Sequence, residues 1–137
     1  MLEELPRALK RMLDLWNGAG IDPGDIYARG CSVNGGAETF DPEEVAAEVA
    51  VWRASFPDLR FTVEASFAAC PRYVLRLEAA GTHTGTPFRT EIGTAKASGQ
   101  RIMLQGIEVF EIRNDKIVDV WIGWNWAAVY AALGATL

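Results

Sequence analysis

The sequence predicts an α+β fold in which two helices come first and an antiparallel sheet follows. Before Pro57, two stretches carry apolar residues at the spacing of a helix. After Pro57, apolar and polar residues alternate in long runs that turn signals separate, as in successive strands. A short apolar helix is predicted to close the chain. A long twisted sheet with helices on one side can curl around a pocket, so we expect one here.

The first predicted helix lies within residues 2–20, and Gly18 or Gly20 ends it. Its apolar stripe consists of Leu2, Leu5, Leu9, Met12, Leu13 and Trp16. The next stretch, residues 21–40, is rich in Gly, Pro, Asn and Asp. Because this composition is typical of turns, we expect mostly loop there.

The second predicted helix begins at a clear start signal. Asp41 supplies an N-cap, Pro42 suits the first helical position, and Glu44 is placed for a capping box. Pro57 ends the helix. Its apolar stripe consists of Val45, Val49, Trp52 and Phe56.

Four strands and a final helix are predicted beyond Pro57, with a shorter segment at 88–97 between the second and third strands. The strand patterns are LRFTVEASF, YVLRLEAAGTHTG, RIMLQGIEVFEIR and IVDVWIGWNW, of which the last two form a hairpin around RNDK. ACPR and ASGQ are turn signals, and AAVYAALG closes the chain as a helix. The element types are therefore segregated along the chain, as in α+β proteins.

Composition limits the classes of function. With 137 residues, a net charge of −5 and 50% apolar residues, the chain is predicted to form one domain, residues 1–137. Thirteen basic against eighteen acidic residues, with no basic run, argue against nucleic acid as a partner. The charged N-terminus is unlike a secretory signal, so we expect a cytoplasmic protein with Cys31 and Cys70 as buried reduced thiols.

The C-terminal segment raises the question of a membrane anchor, because no charged residue occurs from Trp121 to Leu137. Its 17 residues are at the short limit of a membrane span, which needs about 20. Polar and small residues also dilute it: Gly123, Asn125, Gly134 and Thr136. We therefore expect a hydrophobic strand followed by a short buried helix, and no membrane partner.

Most signatures of catalytic and cofactor sites are missing from the sequence. The one histidine and two distant cysteines offer no metal-ligand cluster. GxSxG, Walker A and GxGxxG do not occur. Neither a metal nor an organic cofactor is expected.

Five segments, in order and spacing, resemble the SnoaL-like polyketide cyclases of the nuclear transport factor 2-like superfamily. They are DLWNGAGIDPGDIYARG, WRASFPDLRFTVE, GTHTG, GIEVFEIRNDKIVDVW and YAALG. The resemblance implies a cone-shaped fold, in which a curved mixed sheet and helices enclose one deep pocket. It also implies intramolecular aldol ring closure of a polyketide ester by side chains alone. Relatives include dehydratases, isomerases, cofactor-free hydroxylases and binding proteins, so the fold does not fix the function.

The chain departs from this family where its catalytic acid is expected. The family commonly has an aspartate one or four residues after the tryptophan of the last strand, and here Ile122 and Asn125 stand at those positions. An asparagine can hydrogen-bond an enolate or a carbonyl but cannot exchange a proton near neutral pH. Asn34 and Gln105 match positions that are polar and face the pocket in relatives.

Two residues are candidate general bases. His83 shares strand parity with four apolar residues, Tyr73, Leu75, Leu77 and Ala79. It is therefore either a hydrogen-bonded core residue or the base, since the imidazole of histidine ordinarily has a pKa of about 6.5. Asp119 shares parity with Ile117, Trp121 and Asn125 if the strand has no bulge. It is then either a solvated residue near the hairpin or an inward carboxyl whose pKa burial would raise.

Aromatic residues complete the set of candidates. Trp121 and Trp124 point to opposite faces of the last strand, so one is expected in the pocket and the other on the outside. Tyr27 is either a phenol donor in the pocket or an anchor for its loop. The outward tryptophan is expected in a two-fold interface, so we predict a homodimer.

Two classes of function follow from these residues. The first is an enzyme that acts on a hydrophobic carbonyl compound, such as a polycyclic or polyene one, by ring closure, dehydration or isomerisation. His83 or Asp119 would be its base, and Asn125, Gln105 and Asn34 its hydrogen-bond donors. The alternative is a cofactor-free hydroxylase, or a non-catalytic protein that binds hydrophobic ligands and has lost the cyclase acid.

Overall fold

The computed structural model describes residues 5–134, and they form three α-helices, a short 3₁₀ helix and eight strands. The helices are α1 (Arg7–Trp16), α2 (Pro42–Ser55) and α3 (Trp126–Leu133), with the 3₁₀ helix at Pro23–Asp25. The strands are β1 (Tyr27–Val33), β2 (Glu38–Phe40), β3 (Arg60–Ala69), β4 (Arg72–Thr82), β5 (Phe88–Thr90), β6 (Gly93–Ala95), β7 (Arg101–Arg113) and β8 (Lys116–Trp124). The predicted α+β class is confirmed.

The main sheet has six strands in the order β2-β1-β8-β7-β4-β3, and β5 and β6 form a separate hairpin. All neighbours in the main sheet are antiparallel except β1 and β8, which are parallel. The sheet is therefore mixed, as the family resemblance implies. The prediction of loop over residues 21–40 is wrong for β1 and β2, because long-range pairing with β8 and their own hairpin order this stretch.

Both N-terminal helices form where the sequence predicts them. The stripe of α1 packs on the sheet through Leu9, Met12 and neighbouring buried residues, whereas Leu2 lies outside the described residues. At the start of α2, the backbone N–H of Asp41 donates to Glu44 Oε1 at 3.1 Å, as half of the predicted capping box. The helix ends at Ser55, before Pro57.

The turns between long strands follow the predicted signals. Asn114 and Asp115 have φ values of 52° and 61°, which suit the two-residue hairpin between β7 and β8. The β3–β4 turn contains a cis peptide bond between Cys70 and Pro71. Cys31 and Cys70 are both free thiols, but only Cys31 is buried. The prediction of two buried thiols is therefore wrong for Cys70, which is exposed at the end of the sheet.

The GTHTG segment, residues 81–85, packs against the end of α2. The N–H of Gly85 donates to the carbonyl of Ser55 at 3.1 Å, and the N–H of Thr86 donates to that of Ala54 at 3.0 Å. A Cβ on Gly85 would lie only 1.7 Å from the Ala54 carbonyl oxygen. The contact between helix and segment therefore requires glycine at this position.

Candidate functional site

A cavity of about 390 Å³ lies between the helices and the side of the sheet that they cover, which we call the inner face. Apolar and aromatic residues make up most of its wall, as is usual for small-molecule sites. Its aromatic residues are Trp16, Tyr27, Phe40, Trp52, Phe61, Phe110, Trp124 and Trp126. Its aliphatic residues are Met12, Val33, Val45, Leu77, Ala79, Leu104, Val120 and Ile122.

Glu108 is the acidic side chain that the sheet contributes to this cavity. On β7, the inner face is formed by alternate residues, Ile102, Leu104, Gly106, Glu108 and Phe110. Trp124 Nε1–H donates a hydrogen bond of 2.8 Å to Glu108 Oε2. Glu108 is half-buried, so part of its side chain is accessible from the cavity. Burial nevertheless raises the pKa of its carboxyl to about 7, an effect that the Trp124 hydrogen bond partly offsets.

Gly106 explains how Trp124 reaches Glu108. The two residues Gly106 and Trp124 are directly paired between β7 and β8. A Cβ on Gly106 would lie 2.4 Å from Trp124 Cδ2. The absence of a side chain on Gly106 therefore lets the indole lie across β7, where its N–H meets the carboxyl two residues along the strand.

Tyr27 provides a second polar group in the wall. Its side chain is buried, and its hydroxyl oxygen accepts a hydrogen bond of 3.4 Å from Trp16 Nε1–H. Burial raises the pKa of the phenol above its ordinary value, with a further contribution from the charge of Glu108. The phenol therefore stays protonated at neutral pH, and its hydroxyl hydrogen is available to a carbonyl or enolate oxygen.

Helix α2 contributes two further carboxylates to the cavity wall, Glu44 and Glu48. With Trp52 they occur at intervals of four residues, so the three side chains share one face of the helix. Trp52 Nε1–H donates to Glu48 Oε1 at 2.9 Å. Both glutamates are exposed, which places them where the cavity opens to solvent.

Trp124 and Tyr27 are the predicted site residues that line the cavity. Trp121 lies on the opposite, outer face of the sheet and is 50% exposed. The sequence left open which tryptophan is in the pocket, and the structure places Trp124 there. Tyr27 begins β1, so it belongs to a strand and not to the loop that it was expected to anchor.

Asp119 does not line the cavity. Its predicted orientation assumed that the last strand has no bulge, but β8 contains one. Glu111 pairs with Asp119, whereas the next residue of β7, Ile112, pairs with Ile117, so Val118 is an extra residue. Ile117 and Val120 are therefore both buried. The carboxyl of Asp119 instead accepts a hydrogen bond from the Ser32 hydroxyl on the neighbouring strand β1.

His83 also lies outside the cavity wall. Its side chain is completely buried, its Nε2 is 2.8 Å from the Thr86 carbonyl oxygen, and its ring centroid is 4.9 Å from that of Phe56. The backbone N–H of His83 donates to the Gln100 carbonyl at 2.9 Å. Of the two predicted roles, this placement suits the hydrogen-bonded core residue.

The three predicted amide donors are exposed and absent from the cavity wall. Asn34 follows β1, and its Oδ1 accepts from the Ile122 N–H at 2.9 Å, which continues the β1–β8 pairing. Gln105 is on the outer face of β7, and its backbone carbonyl accepts from the Asn125 N–H at 3.0 Å. Asn125 precedes α3. Their described hydrogen bonds thus support the sheet and the start of α3.

The sequence contained a signal for Glu108 that the search for catalytic motifs missed. Within RIMLQGIEVFEIR, the residues that share parity with Glu108 are otherwise Ile102, Leu104, Gly106, Phe110 and Ile112. A single carboxyl among apolar residues on one side of a strand predicts either a functional group or a buried ion pair. Glu44 and Glu48 had no such signal, because glutamates on a surface helix are ordinary.

Comparison with known proteins identifies the chain. The family model for the SnoaL-like polyketide cyclases matches residues 7–133. The protein belongs to the SnoaL-like polyketide cyclase family. No curated protein matches the chain. No helix within residues 5–134 is long and apolar enough to cross a membrane.

Several solved structures share this fold. TsrD from Streptomyces laurentii has a TM-score of 0.78 and 21% identity, with 96% of this chain and 99% of that chain covered. A SnoaL-like polyketide cyclase from Agrobacterium tumefaciens has a TM-score of 0.73 and 22% identity, covering 93% and 95%. AclR from Streptomyces galilaeus, described as a candidate hydroxylase, has a TM-score of 0.74 and 21% identity, covering 93% and 78%. At these identities the likeness concerns the fold.

Proposed function

We propose that this protein is an acid/base enzyme of polyketide or related secondary metabolism that works without a metal or organic cofactor. Its substrate is a hydrophobic carbonyl compound, and its reaction is ring closure of the aldol type or a related dehydration or isomerisation. A single-domain cytoplasmic enzyme is the form that we expect. The observation that carries the proposal is the Glu108 carboxyl, with a pKa of about 7, in the wall of an aromatic cavity.

A carboxyl with this pKa suits a reaction that first removes and later returns a proton. As carboxylate, Glu108 takes a proton from carbon next to a carbonyl group, and an enolate forms. The enolate carbon then bonds to a second carbonyl carbon of the same substrate. The resulting alkoxide receives the proton from the Glu108 carboxyl, so no oxidant, reductant or water is consumed.

The neighbours of Glu108 supply the remaining requirements of this reaction. Trp124 Nε1–H holds Oε2, so Oε1 can point to the substrate. The Tyr27 hydroxyl, which accepts from Trp16, can donate its hydrogen to the enolate oxygen. The aromatic walls hold a flat substrate and keep bulk water from the carboxyl.

The test is turnover of anthraquinone-type methyl esters, monitored by chromatography and mass spectrometry for ring closure and by deuterium uptake from heavy water. Glu108→Gln keeps the shape and can still accept from Trp124, but it cannot exchange a proton. We expect it to lower turnover by about 100-fold or more. Glu111→Gln is the matched control, since Glu111 is on the same strand and pairs with Arg72 and Arg113.

The results separate the proposal from its alternatives. Turnover that survives in Glu108→Gln would contradict the assignment of the acid/base group. Binding of the esters without product in the unaltered protein would favour the non-catalytic ligand-binding protein. Oxygen uptake with a hydroxylated product would favour a cofactor-free hydroxylase; the description of AclR names a hydroxylase, without reference to a cofactor.

We also propose that the protein is a homodimer that pairs through the outer face of the sheet. Phe67, Val74, Val109 and Trp121 are aligned across four adjacent strands in the register of the sheet. Phe67 is 66% exposed and Trp121 is 50% exposed, and about half of the surface of Met103 and Ile107 is also exposed. Such a contiguous apolar surface is typical of an interface. A monomeric mass by light scattering at micromolar concentration would contradict this assembly.

A further inference from the structure

The ionisable groups in the cavity wall are all acidic. They are the carboxyls of Glu44, Glu48 and Glu108 and the phenol of Tyr27. Lysine, arginine and histidine do not occur among the described residues of the wall. A ligand in this cavity therefore meets negative charge or neutral surface on every side.

The two glutamates of α2 are fixed in a way that leaves each with an available oxygen. Glu48 Oε1 accepts from Trp52 Nε1–H at 2.9 Å. Glu44 Oε1 accepts from the Asp41 N–H at 3.1 Å, through the capping box. Since each contact uses only one of the two carboxylate oxygens, the other oxygen of each group can accept from a ligand.

Basic residues near α2 are engaged elsewhere. Arg29 pairs with Asp41 and Glu43 on the other side of the helix start. Arg53 donates to the backbone carbonyls of Trp16, Leu59 and Pro57. Within residues 5–134, no ion pair is formed by Glu44, Glu48 or Glu108. The negative charge at the cavity is therefore not neutralised by the protein.

The aromatic rings next to these carboxylates reinforce the same preference. Trp52 lies beside Trp126, with ring centroids 5.8 Å apart, and both indoles line the cavity. The face of an indole ring is electron-rich and attracts a cation. Carboxylates and indole faces together form the environment in which proteins bind ammonium groups.

We propose that the substrate of this cavity carries a protonated amine on its hydrophobic skeleton, held by Glu44, Glu48 and the indole of Trp52. This inference rests on the proposed function, of which it specifies the substrate class. A substrate with a free carboxylate is disfavoured, because no cation in the wall offsets its charge and three acidic side chains repel it.

Three probes of one shape and different charge test the proposal: 9-(aminomethyl)anthracene, 9-anthracenemethanol and anthracene-9-carboxylate. Their dissociation constants are measured by calorimetry at pH 7 and low salt. We expect the amine to bind about 10-fold more tightly than the alcohol, and the carboxylate at least about 10-fold more weakly than the alcohol. The preference for the amine should decrease as salt is added.

Variants locate the preference in the cavity. Glu48→Gln and Glu44→Gln should each weaken amine binding by about 3-fold and leave alcohol binding unchanged. Glu43→Gln is the matched control, because it removes the same charge from the same helix at a position outside the wall that faces Arg29. It should leave all three affinities unchanged.

A carboxylate that binds as tightly as the amine overturns the proposal, as does an amine preference that survives in the double variant Glu44→Gln/Glu48→Gln. Failure of all three probes to bind also counts against it. The proposed acid/base function is judged separately, by whether Glu108→Gln stops turnover of an accepted ester. If the unaltered protein shows no preference for the amine but its turnover of an ester depends on Glu108, the proposed substrate class is refuted and the acid/base function is not.

Discussion

Glu108 and His83 are both ionisable side chains among apolar neighbours, but their surroundings differ in one respect. Glu108 is next to about 390 Å³ of open volume, and an indole N–H holds one of its oxygens. His83 is packed against Phe56 and bonded to the Thr86 carbonyl, outside the cavity wall. Burial of a titratable group therefore does not by itself indicate catalysis, which also requires space for a substrate beside the group.

The two regions also use glycine differently. Gly85 lets the segment around His83 contact the backbone of Ala54, and Gly106 lets the side chain of Trp124 reach Glu108. At Gly85 the nearest atom is a backbone oxygen, 1.7 Å from an added Cβ. At Gly106 the nearest atoms belong to the Trp124 indole, which lines the cavity, and the Gly123 carbonyl oxygen is 2.8 Å away. Changes near His83 should therefore affect folding, and changes near Glu108 should affect chemistry and its pH dependence.

The largest effect is expected for Gly85→Ala. Its Cβ would lie 1.7 Å from the Ala54 carbonyl oxygen, so the segment must separate from α2. We expect the free energy of unfolding to fall by more than about 4 kcal/mol, measured by urea denaturation. Gly20→Ala is the control, since no atom lies within 4 Å of its added Cβ. A stably folded Gly85→Ala protein would show that this contact is not essential.

His83→Ala should have the next largest effect, on stability and not on binding. It removes a fully buried ring and the hydrogen bond to Thr86. We expect a loss of about 2–4 kcal/mol in the free energy of unfolding. Because His83 is outside the cavity wall, quenching of tryptophan fluorescence by a hydrophobic ligand should give an affinity within about 2-fold of the original. A large loss of ligand affinity at unchanged stability would indicate that His83 belongs to the binding site.

Glu108→Gln should change the pH dependence of stability. The carboxyl has its ordinary pKa near 4.5 when unfolded and a pKa of about 7 when folded. Both states are protonated at low pH, so the carboxyl costs no stability there, and the cost develops as the pH rises through this interval. We expect the free energy of unfolding of the variant to match that of the original protein at pH 4 and to exceed it by about 3 kcal/mol at pH 8.

Glu111→Gln serves as the control with the opposite sign. Arg113 and Arg72 lower the pKa of the Glu111 carboxyl, so its ionised form stabilises the fold above its unfolded pKa, and this contribution is lost as the pH falls. The free energy of unfolding of Glu111→Gln should therefore not exceed that of the original protein at pH 8. Parallel curves for the two variants would contradict the assigned environment of Glu108.

The smallest effect is expected for Asn125→Asp. The residue is exposed, precedes α3 and lies outside the cavity wall. Asparagine and aspartate are also nearly equivalent at the start of a helix. Stability should therefore change by less than about 0.5 kcal/mol, and ligand affinity should be unchanged. If aldol activity appears in this variant, position 125 would be the site of the catalytic acid, as the family pattern suggested.

The sequence predicted the local elements well and the long-range relations less well. Capping signals at Asp41 and turn residues at Asn114 act over a few positions, so α2 and the β7–β8 hairpin could be located. The strand at 27–33 was missed, because its order depends on parallel pairing with β8, about ninety positions away along the chain. No local pattern announces such a pairing.

The candidate site shows the same division. Parity along an unbroken strand would have identified Glu108 from its apolar neighbours. The same rule failed for Asp119, because the extra residue Val118 reverses the faces of β8. The family pattern drew attention to Asn125 and His83, but sequence alone could not show that the cavity lies beside Glu108 and that neither of those residues lines it.

The most direct test of this account is a titration of the Glu108 carboxyl by NMR, with ¹³C-labelled glutamate in the full chain. The signal is assigned by its absence from Glu108→Gln. We predict a midpoint near pH 7, because burial in the cavity wall raises the pKa of this carboxyl. A group that exchanges protons with a substrate at neutral pH requires a pKa in this range. A midpoint near 4.5, the ordinary value for glutamate, would contradict the central claim that Glu108 is the acid/base of this protein.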